Sequence, residues 1–273
     1  MTGTQETIVV VGKGGIGKSL VASNLSVIRA VQGSRVLHVG CDPKHDSSRL
    51  LVPGHRAPTV ASLLLAERQP TLEEVTSIGI HGIHCIEAGG PPPGRGCAGR
   101  AIVGTLDLLE GNQAFSRYSV VVFDILGDVV CGGFAAPLRK GFGRKVVILT
   151  SGEWMSLWAA NNIARMVTEY TDNGVYLAGL VMNSRVSDPH ERSRVARFAR
   201  KIRTSVLECL PWDPAADDAE VAGEPVVLHA KDAPLSRGIF GLADKLLAID
   251  PAARPLPRPM EDSRFEEFLN ECR

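Results

Sequence analysis

The chain has 273 residues, with 30 basic and 30 acidic side chains and therefore no net formal charge. Neutrality argues against a whole-chain polyanion binder, because phosphate-backbone binding draws on an excess of basic charge. Hydrophobic residues make up 44%, enough for a core and too many for a disordered chain, while aromatics are only 5%, so the core is expected to be built from Val, Leu, Ile and Ala.

At about 150 residues per domain the length predicts one or two domains, and α/β units of this size are often single. No apolar stretch approaches the length of a membrane-spanning helix, about 18 residues or more. The N-terminus lacks the basic start and long apolar run of a secretory signal, so a cytoplasmic location is expected.

Residues 8–11 form an apolar run ending at glycine and read as a buried parallel strand. Residues 21–31 follow with helical spacing: Val21, Leu25, Ile28 and Val31 share one face. Further strands are predicted at 35–39, 83–86, 120–123, 145–149, 175–181 and 206–210, and helices at 99–110, 155–170 and 189–203. Strand–helix alternation along the whole chain implies an α/β fold, a mostly parallel sheet with helices on both faces. Four prolines in 249–259 mark the expected end of the body. Residues 261–272 suggest a short amphipathic tail helix.

Gly12-Lys13-Gly14-Gly15-Ile16-Gly17-Lys18-Ser19 matches G-x-x-x-x-G-K-[ST] between a predicted strand and helix, the context of a phosphate-binding P-loop. Its backbone N–H groups and the helix N-terminus suit phosphate oxygens. Lys18 is expected on the β- and γ-phosphates and Ser19 on Mg²⁺. Strand 120–123 runs into Asp124, whose carboxylate would orient Mg²⁺ through water. Asp42 and Asp46, after the second strand, are candidates to sense the γ-phosphate, although Asp and Pro in that loop also suit a plain turn.

Six cysteines are too few for a disulfide scaffold of this size. Cys97 and Cys131 stand 34 residues apart in glycine-flanked segments, where backbone can approach sulfur closely. That spacing is no metal knuckle, and two thiolates cannot complete a four-cysteine cluster site, but a two-fold dimer supplies four. Cys41, Cys85 and Cys209 lie in or beside apolar strands and read as small buried hydrophobes. Cys272 sits near a terminus expected to be loose.

Lys13, a second lysine early in the loop, resembles the deviant Walker A class. This class includes nitrogenase iron proteins, partitioning ATPases and anion-pump ATPases, and the resemblance implies a homodimer in which this lysine reaches the partner's nucleotide. Both cysteine segments, the Cys41-Asp42-Pro43-Lys44 segment, Ser151-Gly152-Glu153 with Ala159-Ala160-Asn161-Asn162, and Asn183-Ser184-Arg185 look like those of the nitrogenase iron protein family.

The resemblance covers most of residues 8–230. It implies a P-loop ATPase and iron–sulfur domain over 1–249, with 250–273 as a proline-rich tail. It implies MgATP and one 4Fe–4S cluster shared between subunits through Cys97 and Cys131. It also implies a catalytic nitrogenase-like heteromeric partner, ferredoxin or flavodoxin as electron donor, and no nucleic acid or membrane partner. By the same resemblance Asp128 positions the attacking water, with Asp42 as rival, and Lys13 and Lys44 belong to the nucleotide site. Asn183, Pro211 and Asp213 stand near the adenine, with Glu220 beside them, although Trp212 replaces a commonly basic residue. Arg100 corresponds to an arginine that is ADP-ribosylated in some iron proteins and otherwise reads as a docking charge.

Within the family, Ser151-Gly152-Glu153 and residues 159–162 look like true nitrogenase iron proteins, whereas His45 and the Glu87–Pro92 run look like the reductases of dark chlorophyll synthesis. The mixture, with Leu20 in place of a usual threonine, points to a nitrogenase-like paralogue, with methylthio-alkane reductase preferred. A metal-free partitioning ATPase is the alternative of a different class. The two cysteine segments, the neutral charge and the lack of a recognisable membrane-targeting tail argue against it.

Overall fold

The computed structural model describes residues 5–54, 56–92, 96–127, 132–133, 135–184 and 190–272. Asp128, Cys131, Arg185 and Pro189 lie outside them.

Every second residue of β1 (Glu6–Gly12) faces the same side, so one short apolar run feeds two cores. Val9 and Val11 join one cluster and Ile8 and Val10 the other, with all four essentially inaccessible. A strand buried on both faces is the signature of a parallel sheet covered by helices, and it explains the continuous valine run.

The other strands are β2 (Val36–Cys41), β3 (Thr76–Ile78), β4 (His84–Glu87), β5 (Val120–Ile125), β6 (Lys145–Thr150), β7 (Tyr176–Asn183) and β8 (Val206–Leu210). They form one sheet in the order β3-β4-β2-β5-β1-β6-β7-β8. All neighbours are parallel except β3 on β4, an antiparallel edge of three residues that hydrophobic periodicity could not reveal.

The helices are α1 (Lys18–Val31), α2 (Val60–Leu65), α3 (Leu72–Val75), α4 (Gly99–Gly111), α5 (Ala136–Arg139), α6 (Trp154–Glu169), α7 (Glu191–Lys201), α8 (Ala215–Ala222), α9 (Val226–His229), α10 (Pro234–Leu247) and α11 (Asp262–Glu271). α1 and α10 supply Val21, Leu25, Ile239 and Leu242 to the Ile8/Val10 side. α4, α6, α7 and α11 cover the Val9/Val11 side. The predicted helix at 189–203 stops short, because Arg203 turns into the left-handed region with φ 56°.

A buried ion network fastens α10 to the sheet. Arg29, 2% exposed, donates to Glu6 Oε2 at 2.8 Å and to the Ala243 carbonyl at 2.9 Å. Lys145 Nζ reaches Glu6 Oε1 at 2.5 Å and the Leu246 carbonyl at 2.7 Å.

The proline-rich segment leads back to the body. Asn161 and Met260 exchange two hydrogen bonds, at 2.7 and 2.8 Å, and Phe265 and Phe268 are buried beside Phe198 and Trp158. This corrects the expectation for Cys272: anchored by the α11 aromatics, it is half-buried against the core cluster and not loose.

Candidate functional site

In a parallel sheet, ligands bind beyond the carboxyl ends of the strands, near the point where strand order reverses. Here that end carries the loops after β1, β2, β4, β5, β7 and β8, which hold nearly every residue singled out from the sequence.

The loop after β1 folds back on itself: Ile16 N donates to the Lys13 carbonyl at 3.2 Å, and Lys18 Nζ, largely buried, donates to the same oxygen at 3.2 Å. Gly17 opens α1 with φ 94°, a conformation that side chains rarely adopt, and a Cβ there would lie 2.6 Å from Asn183 Nδ2. Asn183 Nδ2 donates to the Ile16 carbonyl at 2.8 Å, so β7 braces the loop. Among the described residues the Lys13 side chain reaches Glu153, at 3.4 Å across the surface, a weak contact that is readily exchanged for another anion.

Asp124, at the end of β5, is 2% exposed. Burial pushes its carboxyl up, as does Asp42, while hydrogen bonds from Ser19 and Ser47 and the charge of Lys18 pull it back. Ser47 donates to Asp124 Oδ2 at 2.5 Å. The carboxylate, the Ser19 hydroxyl and the Lys18 ammonium thus converge. Asp42 Oδ1 accepts the Lys44 backbone N–H at 2.8 Å, an Asx turn that leaves the Lys44 side chain exposed.

Beside the P-loop, Gly15, Gly17, Asn183, Pro211, Asp213 and Glu220 line a cavity of about 610 Å³ with the exposed Trp212 at its rim. The fold thus gathers sequence-predicted positions from the P-loop, β7, the loop after β8, and α8. Asp213 also braces the fold, since its two oxygens accept from Ala215 N and Leu235 N, both at 3.0 Å, and so join α8 to α10. Sequence reading missed Glu191, which is buried and binds both Gly152 N, at 2.8 Å, and Ser184 Oγ, at 2.7 Å.

Cys97 is exposed just before α4, and Arg100 is exposed in the first turn of that helix. Burial raises the Cys41, Cys85 and Cys209 thiols, so they stay protonated and behave as hydrophobes.

Two backbone contacts connect the nucleotide loop with the cysteine loop. A Cβ on Gly127 would lie 2.1 Å from the Gly12 carbonyl oxygen. A Cβ on Gly133 would lie 2.3 Å from Gly99 Cα, two residues beyond Cys97. The segment leaving β5 therefore touches the P-loop with one glycine and the Cys97 loop with another. Glu87 makes a parallel link. It accepts from Ser48 N and Ser48 Oγ at 2.7 and 2.6 Å, next to the Ser47 that serves Asp124, and its strand leads into the Cys97 segment. Its second oxygen is buried with no hydrogen-bond partner among the described residues.

Among solved structures, the fold is similar to a ParA family ATPase from Chlorobium tepidum (TM-score 0.69, 17% identity, 90% of this chain and 99% of the other). It is equally similar to the Mg-ADP complex of the septum site-determining protein MinD from Pyrococcus horikoshii (TM-score 0.69, 18% identity, 89% and 96%). At such identities the likeness shows a P-loop NTPase fold alone.

In sequence, the chain is 40% identical to a nitrogenase iron protein of Methanospirillum hungatei over 266 residues, 96% of this chain and 94% of that one. It is 38% identical to nitrogenase iron protein 2 of Paenibacillus durus, over 96% and 90%. The family model described as 4Fe-4S iron sulfur cluster binding proteins, NifH/frxC family, matches residues 6–273. The chain belongs to the NifH/frxC family of iron–sulfur cluster binding proteins.

Proposed function

We propose that the protein is the ATP-dependent electron donor of a nitrogenase-like complex, working as a homodimer that passes single electrons to a separate catalytic component. Members of its family bind a 4Fe–4S cluster and MgATP. The residues fit both groups. Cys97 is exposed and glycine-flanked, with no Cβ at Gly99 to crowd its sulfur, and would hold the cluster together with Cys131 and the same pair of a second subunit. The cluster, when bound, supplies a one-electron redox couple.

The observation that carries the reading is the paired glycine contact, Gly127 on Gly12 and Gly133 on Gly99. A rearrangement at the phosphates cannot move Gly12 without moving Gly127, and the same short segment presses on the Cys97 loop. Asp128 lies within that segment and is proposed to position the attacking water, with Asp42 as rival. Lys18 and the loop N–H groups hold the phosphates, and Ser19 would take Mg²⁺ with Asp124 orienting it through water. Lys13, released from Glu153, reaches the nucleotide of the other subunit. Asn183, Pro211, Asp213 and Glu220 surround the base, with Lys44 and Asp42 at the phosphate end. Arg100, exposed beside Cys97, is a docking charge toward the catalytic component.

The preferred branch is methylthio-alkane reductase, which cleaves carbon–sulfur bonds for sulfur salvage. His45 and the Glu87–Pro92 run, mixed with Ser151-Gly152-Glu153, support a paralogue over either better-known branch. Nitrogenase and dark-operative protochlorophyllide or chlorophyllide reductase are the alternatives, ferredoxin or flavodoxin is the proposed donor, and the cytoplasm the proposed location. Among the described residues no helix is long and apolar enough to cross a membrane.

Deleting the gene and growing the host on a volatile organic sulfide as sole sulfur source, on dinitrogen, or in the dark separates the branches. Loss of growth on the sulfide alone is expected. A defect confined to either other condition moves the assignment to that branch.

A further inference from the structure

Strand β2 is buried along its whole length, yet its sequence Val36-Leu37-His38-Val39-Gly40-Cys41 carries an imidazole in its middle. His38 is fully buried. Its Nδ1 lies 2.9 Å from Ser26 Oγ on α1, and its Nε2 lies 2.8 Å from Ser47 Oγ. Ser47 in turn stands 2.5 Å from Asp124 Oδ2.

With Asp124 ionised, one proton arrangement satisfies this row. A carboxylate only accepts, so the single Ser47 hydroxyl proton goes to Asp124. The Ser47 oxygen then accepts from Nε2–H, which leaves Nδ1 as the acceptor for the Ser26 hydroxyl. Burial lowers the imidazole to about 4, so the ring is neutral and carries one N–H. Ser19, the other hydroxyl on Asp124, is half-buried in the P-loop and would be shared with Mg²⁺, whereas Ser47 is buried and holds the carboxylate from β2's side.

We propose that His38 is a positioning residue for the magnesium–nucleotide site: its Nε2–H locks the Ser47 hydroxyl onto Asp124, and so fixes the carboxylate that receives the hydrated Mg²⁺. The proposal rests on the reading of Asp124 as the metal-orienting carboxylate. His38 touches neither nucleotide nor metal and acts through Ser47. Without it the Ser47 hydroxyl is free to turn away, and Asp124 loses a core-side hydrogen bond in a site where burial already disfavours its charge.

The test is Mg²⁺ titration of ATP binding to cluster-loaded protein kept free of oxygen, for wild type, His38→Leu, His38→Gln and Asp124→Asn. Loss of a hydrogen bond to a charged group predicts that His38→Leu raises the Mg²⁺ concentration for half-saturation about tenfold. ATP affinity without Mg²⁺ should stay within about twofold, since phosphate contacts to the loop are untouched. His38→Gln keeps an N–H at similar reach and should recover most of the loss.

An unchanged Mg²⁺ requirement in His38→Leu, with Asp124→Asn shifted, overturns the role of His38 and leaves the site reading intact. Equal weakening with and without Mg²⁺ also overturns it, as a packing defect. An unshifted Asp124→Asn overturns the reading of Asp124 itself. Should His38→Leu fail to fold, Ser47→Ala removes the same hydroxyl from the other side and is read in the same way.

Discussion

Gly127→Ala places a methyl group where three backbone atoms of Gly12 already stand, at 2.1, 2.6 and 2.7 Å. No rotamer relieves this, because both partners are backbone. Ordinary carbon–oxygen and carbon–carbon contacts need about 3.5 Å, so the end of β5 and the P-loop must separate by about 1 Å or more. Overpacking of this kind costs about 1–3 kcal/mol. The strain falls on the phosphate loop, so the same range appears as nucleotide affinity weakened roughly 5- to 150-fold.

Calorimetric titration of MgADP into the oxygen-free dimer reads this directly, with iron content measured on the same sample. Gly111→Ala is the matched control: nothing lies within 4 Å of a Cβ there, at the end of α4, and it should stabilise by about 0.4–1 kcal/mol. Nucleotide affinity in Gly127→Ala within twofold of wild type would refute the claim that this glycine couples the two loops.

Glu6→Gln removes the shared anion of Arg29 and Lys145 and leaves two buried cations, so urea unfolding should show a loss of about 3–5 kcal/mol; a loss below 1 would mean the network is solvated. Burial pushes Glu87 up to about 7 from an ordinary value of 4.5. Its contribution is full below pH 4.5 and declines as pH rises through 7, by roughly 3 kcal/mol. Glu87→Gln should therefore gain on wild type between pH 5 and 8 in unfolding measurements, and a constant difference would contradict the shift. His38, lowered to about 4, has the opposite sign: its contribution is full above pH 6.5 and is lost as pH falls toward 4, a slope that His38→Gln should remove. Cys97→Ser should lose its iron while the fold still binds MgADP, since none of the described phosphate-loop hydrogen bonds involves the thiol; retained iron would exclude Cys97 as a ligand.

The chemistry was legible where it is written in short contiguous runs. Residues 8–11 and 120–123 are valine-rich because both faces of their strands are buried, and they led directly to Gly12 and Asp124. The P-loop needs consecutive residues for its backbone cradle, so its motif survives without structural context. α10 was missed although Leu235, Ile239, Leu242 and Leu246 keep helical spacing; its opening Pro234 is a good first-turn residue and was the available start signal. β3 offered no signal, being two half-buried residues and an exposed Ile78 at an edge. His38 and Glu191 carry no contiguous motif, because their partners sit on neighbouring elements and loops 7 to 39 residues away, yet a histidine inside an otherwise apolar strand is itself a mark of a buried polar link. The tail looked detached because prolines stop helices, but they do not stop a chain from returning, and Phe265 and Phe268 fix it.

The central claim is that this chain ties an iron–sulfur cluster to nucleotide state. The most direct measurement is iron content of the oxygen-free dimer together with the electron paramagnetic resonance spectrum of the reduced protein, with and without MgATP. About four iron atoms per dimer and a spectrum that changes on adding MgATP are predicted, as for a four-cysteine site coupled to the phosphate loop. Iron-free protein with intact ATPase activity, or a spectrum indifferent to MgATP, would contradict the account.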